Sequence, residues 1–312
     1  MPGDTQKMPD TGAAAVVDFE SNRDLLFGVA YRVLGSVADA EDVVQESWLR
    51  WNRVDASQVA DPRSYLAQIA TRLALDRLRR AKASREDYVG PWLPEPLSTG
   101  PDAEEYAGLS ESVSMAMLVV LETLSPLERV AFVLREAFEF SFADIAEILG
   151  RSETSVRQLF RRARLHVRER RPRFENDRAV RRQVTERFMA ACLGSDIDAL
   201  VGLLAPDVTL WSDANGRRGL PRSPVHGAQT VSRMLANGIK KFTGSAALAP
   251  DEPVGPLGGS IVYVNGGPAA VLTVAGKLVG VVVLDIDPES SFVTRVWMLA
   301  NLEKLGSLSD NR

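Results

Sequence analysis

Phe142-Ala143-Asp144-Ile145-Ala146-Glu147-Ile148-Leu149-Gly150-Arg151-Ser152-Glu153-Thr154-Ser155-Val156-Arg157-Gln158-Leu159-Phe160-Arg161-Arg162-Ala163-Arg164-Leu165-His166-Val167-Arg168 reads as an apolar helix, a glycine turn and a second helix studded with arginine. Phe142, Ile145, Ala146 and Leu149 recur at helical spacing, and Val156, Leu159, Phe160 and Ala163 resume the pattern after Gly150. The small Ala146 lets the two helices cross closely. Gly150 can take the positive φ that ends the first helix, and Ser152 can cap the second. Thr154, Ser155, Arg157, Gln158 and Arg161 are left on an exposed front, where their side chains suit base edges, while Arg162, Arg164 and Arg168 suit phosphates. The stretch therefore reads as a DNA-binding helix-turn-helix, and taken alone it also fits a helical hairpin with a solvated basic face.

Charge placement favours the first reading. Arg151 to Arg182 holds twelve Arg and no Lys against four acidic residues, while the whole chain carries −4. A basic patch on an acidic protein points to phosphate binding at one surface. The 312 residues, 45% hydrophobic, are enough for two or three separate cores. Cys192 is the single cysteine, so no intrachain disulfide is expected, and with two His no zinc cluster or other metal site or cofactor is expected either. A reducing cytoplasmic setting follows. The N-terminus lacks a basic leader with an apolar core, and the apolar run Ala269–Leu284 is broken by Gly276, Lys277 and Gly280, so no membrane span is expected.

Outward from the helix-turn-helix, residues 1–18 are expected to be a mobile tail. Residues 19–85 read as a helical domain. One helix starts at Ser36, which with Asp39 resembles a capping box, and buries Ala40, Val43, Val44, Trp48 and Trp51. Its opposite face is Asp39, Glu41, Asp42, Gln45 and Glu46. A second helix follows Pro62, with Tyr65, Leu66, Ile69, Leu73 and Leu78 inward and Arg63, Arg72, Arg77, Arg79 and Arg80 outward. Residues 86–113 read as a Pro-rich linker in which Trp92 and Leu93 need a docking surface. Residues 114–171 form the next helical unit, with Ser125 and Pro126 opening a helix before the helix-turn-helix. In residues 179–305 a helix to Leu193 and a short one through Leu204 precede strands at 208–212, 260–264, 270–274, 278–285 and 292–298. That pattern predicts an α+β domain of helices on a curved antiparallel sheet, followed by a tail at 306–312.

The acidic helix Asp39-Ala40-Glu41-Asp42-Val43-Val44-Gln45-Glu46-Ser47-Trp48, the arginine helix ending Leu75-Asp76-Arg77-Leu78-Arg79-Arg80, and Leu124-Ser125-Pro126-Leu127-Glu128-Arg129 before the helix-turn-helix together resemble an extracytoplasmic-function sigma factor. The resemblance covers residues 19–171. It implies that residues 19–85 are region two, binding the core RNA polymerase clamp through the acidic helix and melting the minus-ten element. Residues 114–171 are then region four, reading the minus-thirty-five element. Arg72 stands where many members carry Asn. A carboxylate-rich face with Gln45 suits a basic clamp, and Tyr65 with the arginines suits single-strand capture.

The C-terminal domain is similar to the SnoaL-like branch of the nuclear-transport-factor-two-like superfamily, a cone of sheet and helices around a pocket. The resemblance rests on Phe188–Gly194, Leu200–Val208 and Val225-His226-Gly227. Sigma factors with such a fused domain show a Trp-Leu-Pro-Glu-Pro linker, present at Trp92–Pro96. They also show an Asp-Gly-Gly-Gly-Arg motif, altered here to Asp213-Ala214-Asn215-Gly216-Arg217, and an Asn-Pro-Asp-Lys-Leu motif, which keeps Asn301, Lys304 and Leu305 here and is altered at Leu302 and Glu303. The resemblance implies regulatory contacts at those residues within the chain itself. Trp211, His226 and Tyr263 could line a pocket of unknown ligand, with Asp213 and His226 as an acid/base pair. Arginines beside Asp213, notably Arg217 and Arg218, would instead keep that carboxylate ionised by pairing, so no catalytic residue is assigned. Two other readings use the same features: a SnoaL-like cyclase or hydrolase carrying DNA-binding helices, and a helix-turn-helix repressor that never meets polymerase. Neither needs the acidic helix face.

Overall fold

The computed structural model describes residues 11–85, 88–100, 114–170, 178–217, 219–243 and 255–309. They fall into two compact units, one joining the chain up to Ala81 with Leu124–Arg168, the other joining Lys82–Thr123 with Glu169 onward. The helices are α1 (Thr11–Leu34), α2 (Val37–Trp51), α3 (Pro62–Arg85), α4 (Met115–Glu122), α5 (Pro126–Glu136), α6 (Phe142–Leu149), α7 (Glu153–Arg170), α8 (Arg178–Leu193), α9 (Ile197–Leu203), α10 (Ala228–Thr243) and the single turn α11 (Gly306–Ser309). The strands are β1 (Leu204–Asp213), β2 (Val225–His226), β3 (Leu257–Val264), β4 (Gly267–Val274), β5 (Lys277–Ile286) and β6 (Val293–Leu299). Among the described residues no helix is long and apolar enough to cross a membrane.

In the first unit α1 starts at Thr11, inside the segment expected to be a tail; residues 1–10 of that tail lie outside the described residues. Ala13–Ala15 are strong helix formers, and tertiary contacts fix the turn they start. The fully buried Trp51 donates its Nε1 proton to the Ala15 carbonyl at 2.8 Å, and Phe19 meets Trp48 edge-on at 5.0 Å. Ser36 caps α2 by accepting from the Asp39 amide at 3.1 Å.

The N-terminal helices and the helix-turn-helix pack as one body. Arg129 is buried and extends Nη1 to the Val33 carbonyl at 2.6 Å. At Gly28 an added Cβ would sit 2.7 Å from the Phe138 ring and 2.9 Å from Arg32, so only glycine allows this approach. Arg32 lies over the Phe138 ring at 5.0 Å and donates to the Gly28 carbonyl; burial pulls its pKa down to about 10. From α3, Arg63 donates to the Phe138 carbonyl at 2.8 Å and covers the Phe140 ring, while Gln68 donates to the Glu147 carbonyl at 3.1 Å.

The helix-turn-helix is closed by local chemistry. Ser125 and Glu128 form a reciprocal capping box with Pro126 in the first turn of α5, and Ser141 and Asp144 do the same for α6. Gly150 ends α6 at φ 61°, ψ 44°, the left-handed region that costs glycine little. Ser152 accepts from the Ser155 amide at 3.3 Å at the start of α7. The buried stripe is Ile145, Ala146 and Ile148 on α6 with Val156, Leu159, Ala163 and Val167 on α7.

The second unit is a six-stranded sheet in the order β2-β1-β6-β5-β4-β3. An antiparallel sheet was the expectation; β1 and β6 are in fact parallel. The chain leaves β1 through β2 and α10 and returns as the meander β3–β6, the long crossover a parallel pair requires. One sheet face packs Val208, Leu210, Leu284 and Val296 against Phe188, Leu200 and Val231 from α8, α9 and α10. The other face packs Val271, Val281, Val283, Trp297 and Leu299 against Leu93, Met115, Ala116 and Leu305. Burial on both sides explains the nearly unbroken apolar run of β5.

Three further boundaries differ from the sequence expectation. The α10 helix was hidden by Gly227, Asn237 and Gly238, although Val231, Met234 and Leu235 keep helical spacing. The α4 helix falls in the second unit, because Met115 and Ala116 are buried on the outer sheet face. The expected tail at 306–312 begins as α11, where Leu308 packs on that face and Ser307 Oγ donates to the Pro96 carbonyl at 2.8 Å; residues 310–312 lie outside the described residues. Of the 86–113 linker, 88–100 are described, and Ser98 bridges to Val264 beside β3.

Candidate functional site

The acidic face of α2 is present, and it encloses one arginine. Arg77 on α3 lies 2.9 Å from Asp42 and 3.5 Å from both Asp39 and Glu46. Partial burial works against the Arg77 charge, yet its hydrogen bond to Asp42 and the field of the three acids outweigh that and hold its pKa above the usual value. Arg77 was expected among outward DNA-facing residues; it belongs to the acidic cluster instead. Arg63 is likewise committed to the Phe138 carbonyl. Arg72, Arg79 and Arg80 are exposed, with Arg79 paired to Asp76 at 3.0 Å. Glu41 and Gln45 are exposed, and Glu46 also pairs with Arg50 at 2.7 Å.

On α7, Thr154, Arg157, Gln158 and Arg161 share the exposed front; Ser155 is half-buried. Arg157 donates Nε and Nη2 to Glu153 Oε1, at 3.1 and 2.5 Å, and lies over the Phe142 ring at 4.5 Å. Arg162 donates to Glu128 at 2.7 Å and Arg164 approaches Glu136 at 3.9 Å, so both help tie α7 to α5.

In the second unit the decisive group is Asp213, wholly buried at the end of β1. Its Oδ2 accepts from Lys304 Nζ at 2.6 Å and from the Leu93 amide at 2.7 Å; its Oδ1 accepts from the Tyr88 hydroxyl. Lys304 also donates to the Leu93 carbonyl at 2.7 Å and sits 4.0 Å from the Trp92 ring centroid. Asn301 Nδ2 donates to the Tyr88 oxygen at 3.0 Å, and Leu305 is buried beside Leu93 in the outer core. Burial first, then the bond to Asp213, drives the Tyr88 pKa upward, which keeps that hydroxyl a proton donor. Trp92 and Leu93 thus have the docking surface they needed. The expected pairing of Asp213 with Arg217 does not form, because Arg217 Nη1 donates to the Val279 and Ala300 carbonyls at 3.0 and 3.3 Å; Arg218 lies outside the described residues. Tyr88 was missed, although an aromatic four residues before Trp92 in a polar linker is a signal of the same kind.

The pocket constellation does not assemble. His226 is exposed at the sheet edge, 3.1 Å from Thr209 Oγ1, in register with Thr209. Asp213 is four residues further along β1, about 13 Å away at strand rise, too far for an acid/base pair. Trp211 faces the outer core beside Trp297, ring centroids 6.1 Å apart. Tyr263 follows Ile261 onto the helix-covered face, under Arg178 at 5.1 Å. The Cys192 thiol is buried and pushed up to about 12, leaving it inert at neutral pH. Among the described residues no His, Cys, Asp and Glu cluster could hold a metal ion.

Residues 19–84 match the family described as Sigma-70 region 2, and residues 114–167 match Sigma-70, region 4. A helical clamp-type domain followed by a helix-turn-helix of this kind defines an RNA polymerase sigma factor. The chain is 44% identical to the ECF RNA polymerase sigma factor SigJ of Mycobacterium tuberculosis over 73% of its own length and 74% of the relative's. It is 32% identical to the probable ECF RNA polymerase sigma factor SigI of the same species, over 85% and 91%. The crystal structure of M. tuberculosis SigJ superposes with a TM-score of 0.71 at 37% identity, covering 94% of this chain and 98% of that one. The chain belongs to the ECF RNA polymerase sigma factor family. As a member it binds core RNA polymerase and directs promoter-specific transcription initiation.

Proposed function

We propose that the α2 acidic face is the polymerase-binding surface, that Arg72, Arg79 and Arg80 serve the minus-ten element and the α7 front the minus-thirty-five element, and that the fused α+β domain regulates the activity in cis. This work at polymerase locates the chain in the cytoplasm. The observation that carries the regulatory reading is the convergence of linker and C-terminal turn on one buried carboxylate: Tyr88, Leu93 and Lys304 all donate to Asp213. A non-catalytic fused domain fits the same observation, since Asp213 is consumed by structural bonds and His226 stands far from it. Reconstituted transcription with core polymerase tests the proposal. Full chain, a chain ending at Leu299, and Asp213→Asn should differ in promoter output at matched concentration. Equal output from all three would refute cis regulation. Turnover of epoxides or ketones that His226→Ala abolishes would refute the non-catalytic reading.

A further inference from the structure

On the promoter-facing front of α7, Arg157 is held in a way its exposed neighbours Gln158 and Arg161 are not among the described contacts. One edge of its guanidinium, Nε and Nη2, is bound to Glu153 Oε1. Its face lies on Phe142, whose ring meets Phe160 edge-on at 5.5 Å and also carries Arg135 at 4.9 Å. Arg135 is itself tied to the Phe140 carbonyl at 2.9 Å, so the aromatic platform is braced from the other side. With one edge and one face engaged in these contacts, the donors left over are Nη1 and the outer proton of Nη2, the parallel end-on pair of a guanidinium on an exposed residue.

We infer that Arg157 reads a guanine in the promoter through this free edge, with Glu153 and Phe142 as positioning residues; the inference rests on the promoter reading proposed above. Guanine presents two acceptors, O6 and N7, in the major groove. Adenine offers an acceptor beside a donor, thymine one acceptor, and cytosine a donor, so only guanine satisfies two parallel N–H groups. An exposed ion pair of this kind contributes little to stability, and its use here is to hold the fork in place before the base arrives. Glu153 also places a negative charge near DNA, which weakens binding to every sequence. A residue that lowers general affinity while sharpening one contact buys selectivity.

The test is selection of preferred duplexes from a random library by the full chain with core polymerase, followed by binding isotherms on the selected site. Arg157→Met, which keeps the length and removes the donors, should flatten the preference at one guanine by about tenfold, the order expected for one bidentate contact. Replacing that guanine by 7-deazaguanine, which lacks the N7 acceptor, should weaken wild type several-fold and leave Arg157→Met unchanged. Glu153→Ala should lose much of the preference while binding unrelated duplexes more tightly; Glu153→Gln, whose amide oxygen still accepts, should retain part of it. Uniform weakening across all sequences in Arg157→Met would make it a phosphate contact and overturn the inference, as would an enriched site without an Arg157-dependent guanine. A wild-type selection with no enriched sequence would remove promoter recognition by α7, and the inference with it.

Discussion

Removing both partners of the Asp213–Lys304 pair is expected to destabilise the second unit by clearly less than the sum of the two single removals. Asp213 is fully enclosed and Lys304 is 8% exposed, so each single substitution leaves an uncompensated buried charge. Breaking a buried pair on one side costs about 3–5 kcal/mol, whereas replacing both members by apolar groups of similar volume is often near neutral. Here the surviving group keeps some partners. Lys304→Met leaves Asp213 with Tyr88 and the Leu93 amide, and Asp213→Leu leaves Lys304 with the Leu93 carbonyl and the Trp92 ring. Each single change is therefore placed near the lower end, about 3 kcal/mol, and the double change well below the sum, with a coupling of about 2 kcal/mol. In a unit of this size 1 kcal/mol moves Tm by about 2–4 °C, so the singles should fall by about 6–12 °C. Calorimetry of the full chain, following the transition of the second unit, reads all three values. Singles within about 1 °C of wild type, or effects that simply add, would show that the pair is not a desolvated couple and refute the reasoning.

Charge reversal at Glu41, which lies outside the Arg77 cluster, is expected to weaken core polymerase binding without lowering Tm, whereas Asp42→Lys should do both; a titration with core polymerase beside a melt separates them, and unchanged affinity in both variants would exclude the acidic face. Asp285, buried in β5, has its pKa pushed up to about 6 by burial, against the pull of Arg295 at 3.6 Å, Trp297 and Arg181. Folded above unfolded means the stability is fully present below pH 4 and lost as pH rises through 6, about 3 kcal/mol in all, and Asp285→Asn should flatten that slope in denaturant titrations at pH 4.5 and 7.5. Gly28→Ala, which would stabilise an exposed helix by about 1 kcal/mol, should here destabilise the first unit by about 1–3 kcal/mol because its methyl meets Phe138 and Arg32, and Phe138→Leu should recover part of the loss.

What could be read from the chain alone was set by neighbours in sequence. Ser125, Gly150 and Ser152 act within four residues of the groups they serve, so the helix-turn-helix and these caps were legible, while the cap at Ser141 went unread. The need of Trp92 and Leu93 for a surface was legible too, because exposing them is costly whatever covers them. Which charge meets which was not. Arg77 meets acids on another helix, and Asp213 takes Lys304, 91 residues away, over Arg217, four residues away. Local proximity suggested the arginine; strand direction decided otherwise, since β1 and β6 end together and Ala300 and Asn301 both donate their amides to the Asp213 carbonyl. The start of α1 was obscured because its anchor, Trp51, is 36 residues downstream.

The packing of Phe138 among Gly28, Arg32 and Arg63 sets a limit of reach. Elements named for positions ten and thirty-five are about 25 base steps apart, about 85 Å along B-form DNA at 3.4 Å per step. In the first unit Gln68 of α3 touches Glu147 of α6, and only three residues separate the end of α6 from the start of α7. An 18-residue helix spans about 27 Å, so the far end of α7 stays within about 45 Å of that contact. A ruler this short cannot touch both marks. Engaging both elements at once requires Phe138 to leave its seat, and the same step releases Arg63 from the Phe138 carbonyl and brings Arg32 and Arg129 back into water. Part of the work of loading onto a promoter is thus the undoing of a well-packed joint, and the quality of that joint becomes a determinant of how readily transcription starts.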